Sequence, residues 1–352
     1  MSQETISMSN RMNFSLHTIP VELVYRILDH LDNLTIFLTC RNVCAKLNAI
    51  VDTYHRYQEC DTLYLGGSQI DTQRAKHLAT VLLQNTTLTT LYLQYNQINS
   101  QGAEYLSNAL LHNKTLVTLQ LQYNQIGPQG ASHLGNALQQ NTVTFLLFVS
   151  VFILRFTHYF AQALTAFNLS YNQIVDEGAE HLANALIQNK TLTTLDLRVN
   201  QITSRGTQYL ANGLSQNKTL LTLHLSWNNI GDQGAEYLSN ALLDNKVTFY
   251  FHLSSLPHYF IQALLKLGLE GIQLGDQGAE PLGNALLRNK TLTTLLLREN
   301  RISTQGAEHL SNALLDNKTF TTLDLAYNQI DYNGKRYVID IFKMNPHIKV
   351  SL

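Results

Sequence analysis

The sequence has few cysteines, few prolines and little charge, and each scarcity excludes a class of protein. Its 352 residues include three cysteines and five prolines. Because Cys40, Cys44 and Cys60 are odd in number and close together, they do not form a disulfide framework, and they fit a reducing compartment. Charged residues make up 14% of the chain and the net charge is −1, so the basic surface that attracts nucleic acid or an anionic membrane is missing. We therefore expect neither among the partners.

Signals for export and for catalysis are also missing from the sequence. The opening MSQETISMSNRMNFS is polar and has no apolar core of a secretory signal, which predicts a cytoplasmic protein, with the nucleus as the alternative. The sequence contains no HExxH, paired CxxC, GxSxG or GxGxxG motif. We therefore expect no catalytic residue, no metal site and no cofactor, and a protein that is not an enzyme.

What the sequence does have is a repeat of 28 residues. The segment TLTTLYLQYNQINSQGAEYLSNALLHNK, 87–114, aligns with TLTTLDLRVNQITSRGTQYLANGLSQNK, 191–218. One asparagine after each LxLxx marks the repeat, and Ser68 and Ile272 take its place in the first and seventh of nine units. A fixed period of this length indicates a solenoid. The marker residues are Asn96, Asn124, Asn172, Asn200, Asn228, Asn300 and Asn328.

Each unit contains a strand pattern followed by a helix pattern. TTLDLRVN alternates apolar and polar residues, whereas GAEHLANALIQN places apolar residues three and four apart. One unit cannot bury its own leucines, so neighbouring units must stack into an α/β solenoid with a shared core. We expect the marker asparagine to point inward and satisfy turn backbone groups, and the seventh unit to be locally irregular at Ile272. Asp176, Asp232 and Asp276 lie just before the glycine where the turn meets the helix, and we expect them to be helix N-caps.

These residues resemble the leucine-rich repeat family, in the 28-residue class of ribonuclease inhibitor and NOD-like receptors. The resemblance covers residues 59–352 and implies a right-handed horseshoe with a parallel β-sheet on its concave face and helices on its convex face. The consensus breaks at about 331–352, which we interpret as a C-terminal cap.

A second resemblance covers residues 17–58, which follow an N-terminus, 1–16, that we expect to be disordered. The order IPVEL, ILDHLD, VCAKLNAI resembles an F-box and predicts three short helices. The resemblance implies that this module docks the adaptor of an SCF-type cullin ubiquitin ligase; the alternative is a helical cap on the first repeat. The implied adaptor contacts are Ile19, Pro20, Glu22, Leu23, Ile27, Leu28, Leu31, Val43, Cys44 and Leu47.

The variable positions around the LxLxx leucines predict a protein-binding surface, because they face the concavity while the leucines face the core. One column contains several tyrosines and the single tryptophan, which are residue types that dominate binding hot spots. Repeat duplication alone is the rival explanation for the tyrosines. The predicted contacts are Tyr92, Tyr95, Gln122, Tyr123, Tyr171, Asp196, Arg198, His224, Trp227, Arg298, Glu299, Asp324 and Tyr327.

Two functions follow from these patterns. The first is a substrate receptor of a cullin ligase, whose repeats hold a protein for ubiquitination by a separate enzyme. The alternative is a non-enzymatic interaction or inhibitor protein, or a sensor of the NOD-like-receptor type, in which the N-terminal helices act only as a cap.

Two hydrophobic insertions, 143–162 and 247–262, interrupt the repeat. Both begin with Val-Thr-Phe and end with Tyr-Phe-x-Gln, and removing both restores the period of 28. The first is too short to span a membrane, because Arg155 ends its apolar run. We interpret both as retained introns translated in frame, with hydrophobic docking loops as the alternative; sequencing the cDNA across the junctions decides between them.

Overall fold

The computed structural model describes residues 21–29, 60–141, 163–245, 263–315 and 317–352. The chain divides into two compact units, Met1–Asp61 and Thr62–Leu352. Within the first unit, Val21–Asp29 forms helix α1. Within the described ranges, no helix is long and apolar enough to cross a membrane. The insertions 143–162 and 247–262 lie outside the described residues.

The second unit alternates strands and helices from end to end. Its strands are β1 Thr62–Tyr64, β2 Thr90–Tyr92, β3 Thr118–Gln120, β4 Ala166–Asn168, β5 Thr194–Asp196, β6 Thr222–His224, β7 Lys266–Gly268, β8 Thr294–Leu296, β9 Thr322–Asp324 and β10 Lys349–Ser351. Its helices are α2 Thr72–Gln84, α3 Ser100–His112, α4 Gly127–Gln140, α5 Val175–Gln188, α6 Ser204–Gln216, α7 Gly231–Asp244, α8 Asp276–Arg288, α9 Thr304–Leu314 and α10 Tyr332–Met344.

All ten strands form one parallel sheet in sequence order, as an α/β solenoid requires. Equivalent residues of successive units pair, so Leu91 faces Leu119 and Leu119 faces Phe167. The core-facing leucines of strand and helix, such as Leu195, Leu197, Leu210 and Leu214, are almost fully buried between sheet and helices. Because of this common register, equivalent residues of successive units line up in columns across the sheet. The single parallel sheet with alternating helices confirms the predicted α/β leucine-rich-repeat horseshoe.

The marker asparagines tie neighbouring units together, as the sequence predicted. The Asn96 amide donates to the Leu65 carbonyl of the preceding unit at 2.8 Å and to Leu93 O at 2.9 Å. Its Oδ1 accepts a hydrogen bond from Ile70 N at 2.9 Å. Because the side chain is only 7% exposed, these bonds satisfy backbone groups that water does not reach.

The seventh unit keeps the regular geometry although Ile272 replaces the marker asparagine. Leu267 pairs with Leu223 and with Leu295 in the common register, and Ile272 is completely buried. The Asn300 side chain of the next unit accepts from Ile272 N at 3.1 Å. The expected local irregularity is therefore wrong, because bonds from the following unit and an apolar contact in the core hold this turn.

The aspartates predicted to cap their own helices act on the next helix instead. Asp176 lies inside the first turn of α5, and its Oδ1 accepts from Thr203 N at 2.7 Å and Gly206 N at 3.0 Å at the start of α6. Asp276 makes the same bonds to the start of α9, and Asp232 accepts from Gly275 N before α8. The stacking of helices brings each carboxylate to a neighbouring helix N-terminus, where negative charge is favoured.

The repeats join directly across both insertions. In an uninterrupted unit, Asn189 Oδ1 accepts from Leu192 N, three residues on, at 2.7 Å. The same bond joins Asn141 to Leu164 at 3.0 Å and Asn245 to Leu264 at 2.8 Å. The flanking residues thus occupy the positions that they would have if the insertions were absent from the sequence.

Candidate protein-binding surface

The column that follows each strand projects large side chains from the concave side. Its exposed fractions are 60% for Tyr95, 49% for Trp227 and 70% for Tyr327. Each residue of the column has a positive φ, for example 57° at Tyr95 and 60° at Trp227. This left-handed backbone is unusual for a large residue. It recurs in every unit and places the column in one orientation.

Within this column, three tyrosine rings stack in parallel. Ring centroids lie 4.4 Å apart between Tyr95 and Tyr123 and 3.9 Å apart between Tyr123 and Tyr171. The spacing matches the separation of parallel strands, about 4.8 Å. A hydrogen bond with the Tyr171 hydroxyl raises the pKa of Tyr123 to about 12. The stack therefore presents its ring edges to a partner, with the Tyr123 hydroxyl neutral.

Trp227 lies against the backbone of the seventh unit. A Cβ added to Gly271 would lie 2.5 Å from Trp227 Cε3, so only glycine leaves room for the indole. The φ of Gly271 is 61°, which glycine also adopts most easily. The indole thus has a fixed support on one side and remains half exposed for a partner.

Charged side chains cluster in the middle of the concave face. Arg198 donates to Asp196 Oδ2 at 2.6 Å, and Asp196 is only 5% exposed. Asp196 therefore positions the half-exposed guanidinium of Arg198 rather than meeting a partner directly. This hydrogen bond raises the pKa of Arg198 above its ordinary value.

His224 and Glu270 lie beside that ion pair. Burial lowers the pKa of His224, and the positive charges of Lys266 and Arg198 lower it further against the opposing effect of Asp196. The imidazole is therefore neutral at neutral pH and able to donate and accept hydrogen bonds. Glu270 accepts a hydrogen bond from the Ser226 hydroxyl.

The eighth and ninth units hold another group of residues that the sequence predicted as partner contacts. The Arg298 guanidinium lies 4.3 Å from the centre of the Tyr327 ring, and its Nε is 3.5 Å from Glu299 Oε1. Asp324 lies in β9 and accepts from Ala326 N at 3.0 Å. Arg298, Glu299 and Tyr327 thus form one exposed cluster, separate from the tyrosine stack.

Sequence reasoning missed several concave residues. Tyr64 stacks on Tyr92 with ring centroids 4.6 Å apart, and Gln94 lies beside them. Glu270 and Ser226 belong to the central charged cluster. Tyr64, Gln94, Glu270 and Ser226 all stand at the variable LxLxx positions, so including every residue of those columns would have found them. Among the described residues, no group of three His, Cys, Asp or Glu side chains is arranged to hold a metal.

The residues implied as adaptor contacts are only partly described. Glu22 and Leu23 are exposed on α1, and Ile27 and Leu28 lie on the same helix. The other predicted contacts lie outside the described residues: Ile19, Pro20, Leu31, Val43, Cys44 and Leu47.

Comparison with known proteins identifies the repeats. A leucine-rich repeat family model matches at 84–107, 112–135, 162–183, 188–211, 216–239, 288–311 and 316–334. The first and seventh units, which lack the marker asparagine, are outside these matches. Leiomodin-1 actin-binding site 2 is a similar solved structure, with a TM-score of 0.36, 20% identity, and coverage of 46% of this chain and 84% of that chain. No curated protein matches the chain. Seven of the nine units are thus recognised independently, and the chain contains leucine-rich repeats, a fold that serves as a protein-binding scaffold.

Proposed function

We propose that this chain binds a protein partner on the concave face of its repeats and performs no bond chemistry itself. The observation that supports the proposal is the column of exposed aromatic side chains, of which Trp227 is the most informative member. Tyrosine and tryptophan bury a large area at little cost in side-chain entropy, so such columns suit protein recognition. The charged groups around Arg198 add a centre that selects partners by charge.

The test compares the proteins captured by three versions of the full chain. We expect partners of the concave face to be captured by the wild type, lost with Trp227→Ser and retained with Leu287→Ser. Leu287 is the matched control because it is 50% exposed, close to the 49% of Trp227, and lies on helix α8. A purified partner should shift the fluorescence of Trp227, the single tryptophan. Identical capture by all three versions would refute the proposal.

We propose further that the N-terminal module makes the chain a substrate receptor of an SCF-type ubiquitin ligase. Support comes from the F-box-like sequence of 17–58 and from apolar residues that α1 exposes, Val21 at 37% and Leu23 at 48%. An exposed leucine on a short helical module suits a docking contact, because small modules gain stability from a partner. The repeats would then hold a protein for ubiquitination by the enzyme that the cullin recruits.

Co-purification with the SCF adaptor tests this second step. We expect the wild type to retain the adaptor and Leu23→Glu to lose it, whereas Leu287→Glu, an equally exposed leucine in the repeats, should retain it. If the wild type fails to retain the adaptor, the ligase proposal is wrong. The chain would then act as a non-enzymatic interaction or inhibitor protein, with the N-terminal helices as a cap.

A further inference from the structure

Trp227 has one open ring face on the concave side of the repeats. An added Cβ at Gly271 would lie 2.5 Å from Trp227 Cε3, 2.7 Å from Cζ3 and 2.9 Å from Cδ2. Near-equal distances to three consecutive ring atoms place that position over the ring plane, so one face of the indole lies on the Gly271 backbone. In the described part of the chain, no cation lies over this ring, and the side chain is 49% exposed. The opposite face of Trp227 is therefore open to a partner.

A carboxylate without a counter-charge lies next to this ring. The Trp227 N–H donates to the Glu270 carbonyl at 2.7 Å, so the two residues are neighbours in adjacent units. The half-buried Glu270 carboxylate accepts a hydrogen bond from the Ser226 hydroxyl through Oε2, and it forms no ion pair with any described residue. Because a partly buried carboxylate has lost some of its hydration, a positive charge from a partner offsets that loss.

The basic side chains around Glu270 do not supply that charge. Arg198 is paired with a buried aspartate of its own strand at 2.6 Å, and Arg298 Nε lies 3.5 Å from the Glu299 carboxylate. Lys266 precedes Glu270 by four residues of extended chain, which corresponds to about 13 Å. The negative charge of Glu270 is thus left for a partner.

The eighth and ninth units contain the complete form of the same arrangement. The Arg298 guanidinium lies 4.3 Å from the centre of the Tyr327 ring, and Glu299 provides the carboxylate beside it. Ring, carboxylate and cation there all come from one chain. Trp227 and Glu270 provide the ring and the carboxylate, and the cation is the missing member.

These observations point to one kind of occupant. We propose that Trp227 and Glu270 bind a positively charged side chain, arginine or lysine, of a protein partner, a specificity that rests on the proposed concave-face function. Tryptophan is the aromatic side chain that attracts a cation over its face most strongly. The Glu270 Oε1 atom adds a charged hydrogen-bond acceptor, which shortens and strengthens the contact. One open ring face does not enclose a free small cation, whereas a side chain is held there by the partner's other contacts.

Selection from a library of random twelve-residue peptides, displayed on phage, tests the proposal with the full chain as bait. Peptides that bind the wild type and not Trp227→Ser are kept, because they depend on the indole. We expect them to be enriched in arginine and lysine. They should bind Glu270→Gln about threefold to tenfold more weakly than the wild type, a loss between those of exposed and buried ion pairs. Glutamine keeps an oxygen for the Ser226 hydroxyl, so the change removes the charge and retains the local hydrogen bond.

Glu280→Gln is the matched control, because it removes the same charge from an exposed glutamate of the same unit, on helix α8. The kept peptides should bind this variant as they bind the wild type. In a second arm, the peptide's arginine is replaced by citrulline, or its lysine by acetyl-lysine, which removes the positive charge. This replacement should weaken binding to the wild type and have little further effect on binding to Glu270→Gln, because both changes remove one interaction.

Two sets of results separate the cation site from concave-face binding as a whole. Peptides that depend on Trp227 but lack arginine and lysine, or bind Glu270→Gln as tightly as the wild type, would overturn the cation site while supporting concave-face binding. Additive effects of the two charge removals would overturn it as well. If no peptide depends on Trp227, the cation site is wrong, and the capture of whole proteins by the wild type and Trp227→Ser decides the wider proposal separately.

Discussion

At the scale of single residues, position in the repeat decides what a tyrosine can do. Tyr123 has a φ of 56° and lies between two other rings of its column. The left-handed backbone repeats at Val199 and Glu299, so it belongs to the solenoid and not to the aromatic side chain. What distinguishes Tyr123 is the common register of neighbouring strands, which places a tyrosine hydroxyl on each side of it.

Tyr123 should ionise later than an ordinary tyrosine. Its pKa of about 12 lies above the usual 10.0 because the hydrogen bond with Tyr171 favours the neutral form. The sign follows from linkage: a pKa raised by folding stabilises the protein below pH 10, and this contribution disappears as the pH rises through 12. We expect Tyr171→Phe to move one tyrosine titration down toward 10.0, measured by tyrosinate absorbance.

The control for this titration is Tyr337→Phe. Tyr337 donates to Asn312 Oδ1 at 2.9 Å on the helical side, outside the stack. Its loss should remove one phenol from the total without changing the highest pKa. An unchanged highest pKa in Tyr171→Phe would contradict the hydrogen-bonded pair.

At the scale of elements, each helix start depends on the unit before it. Replacing Asp176 with alanine leaves the backbone N–H groups of Thr203 and Gly206 without their carboxylate acceptor. We expect Asp176→Ala to lower the free energy of unfolding by about 1–2 kcal/mol, the size of a lost helix cap. Urea denaturation followed by circular dichroism measures it. Glu177→Ala, at the adjacent exposed position, should change stability by less than about 0.5 kcal/mol.

Deletion tests whether the two insertions are needed for the fold. Because Asn141 bonds to Leu164 and Asn245 to Leu264 as in uninterrupted units, deletion of 143–162 and 247–262 should leave the sheet and helices intact. Shorter loops also cost less closure entropy, so the deleted chain should unfold at the same temperature or higher. Circular dichroism and thermal unfolding check this. Deleting 175–194 instead removes α5 and should destabilise the chain; if the double deletion behaves like that control, the insertions are needed for folding.

At the scale of the whole molecule, the repeat made most of the fold predictable. The 28-residue period predicted strand, turn and helix in every unit, and the inward asparagines followed from the need to satisfy turn backbone. Contacts between units were harder to predict. The bonds from Asp176 to the next helix depend on how neighbouring helices stack, and local capping rules do not include that geometry. The strand β10 was missed because Lys349–Ser351 has no LxL pattern.

The candidate binding surface was also only partly predictable from the sequence. The columns that contain Tyr95 and Trp227 could be identified from spacing alone, because side chains alternate along a strand. Stacking between Tyr64 and Tyr92 could not, since spacing predicts a shared column but not the orientation of the rings. The burial of Asp196 was equally hidden, because alternation places Asp196 and Arg198 on one face but does not predict that they form an ion pair. The adaptor contacts on 17–58 remain a prediction.

The two halves of the concave face should respond differently to salt. The variable LxLxx positions of units one to four hold no charged side chain, whereas Arg198, Glu270 and Arg298 lie on later units. Raising the salt concentration from about 0.05 M to about 0.5 M shortens the range of electrostatic attraction to a few ångströms. We expect a partner that contacts only the tyrosines of units one to four to keep its affinity within about twofold, because no ion pair is screened there.

A protein partner that covers both halves should lose affinity over the same range of salt, mainly through a lower association rate. Arg198→Ala should reduce that salt dependence and leave a partner of units one to four unaffected. Fluorescence titration with each partner, at both salt concentrations, measures each effect. Strongly salt-dependent binding to units one to four alone would contradict the division of the face, since it would require charge recognition where the variable strand positions hold only neutral side chains.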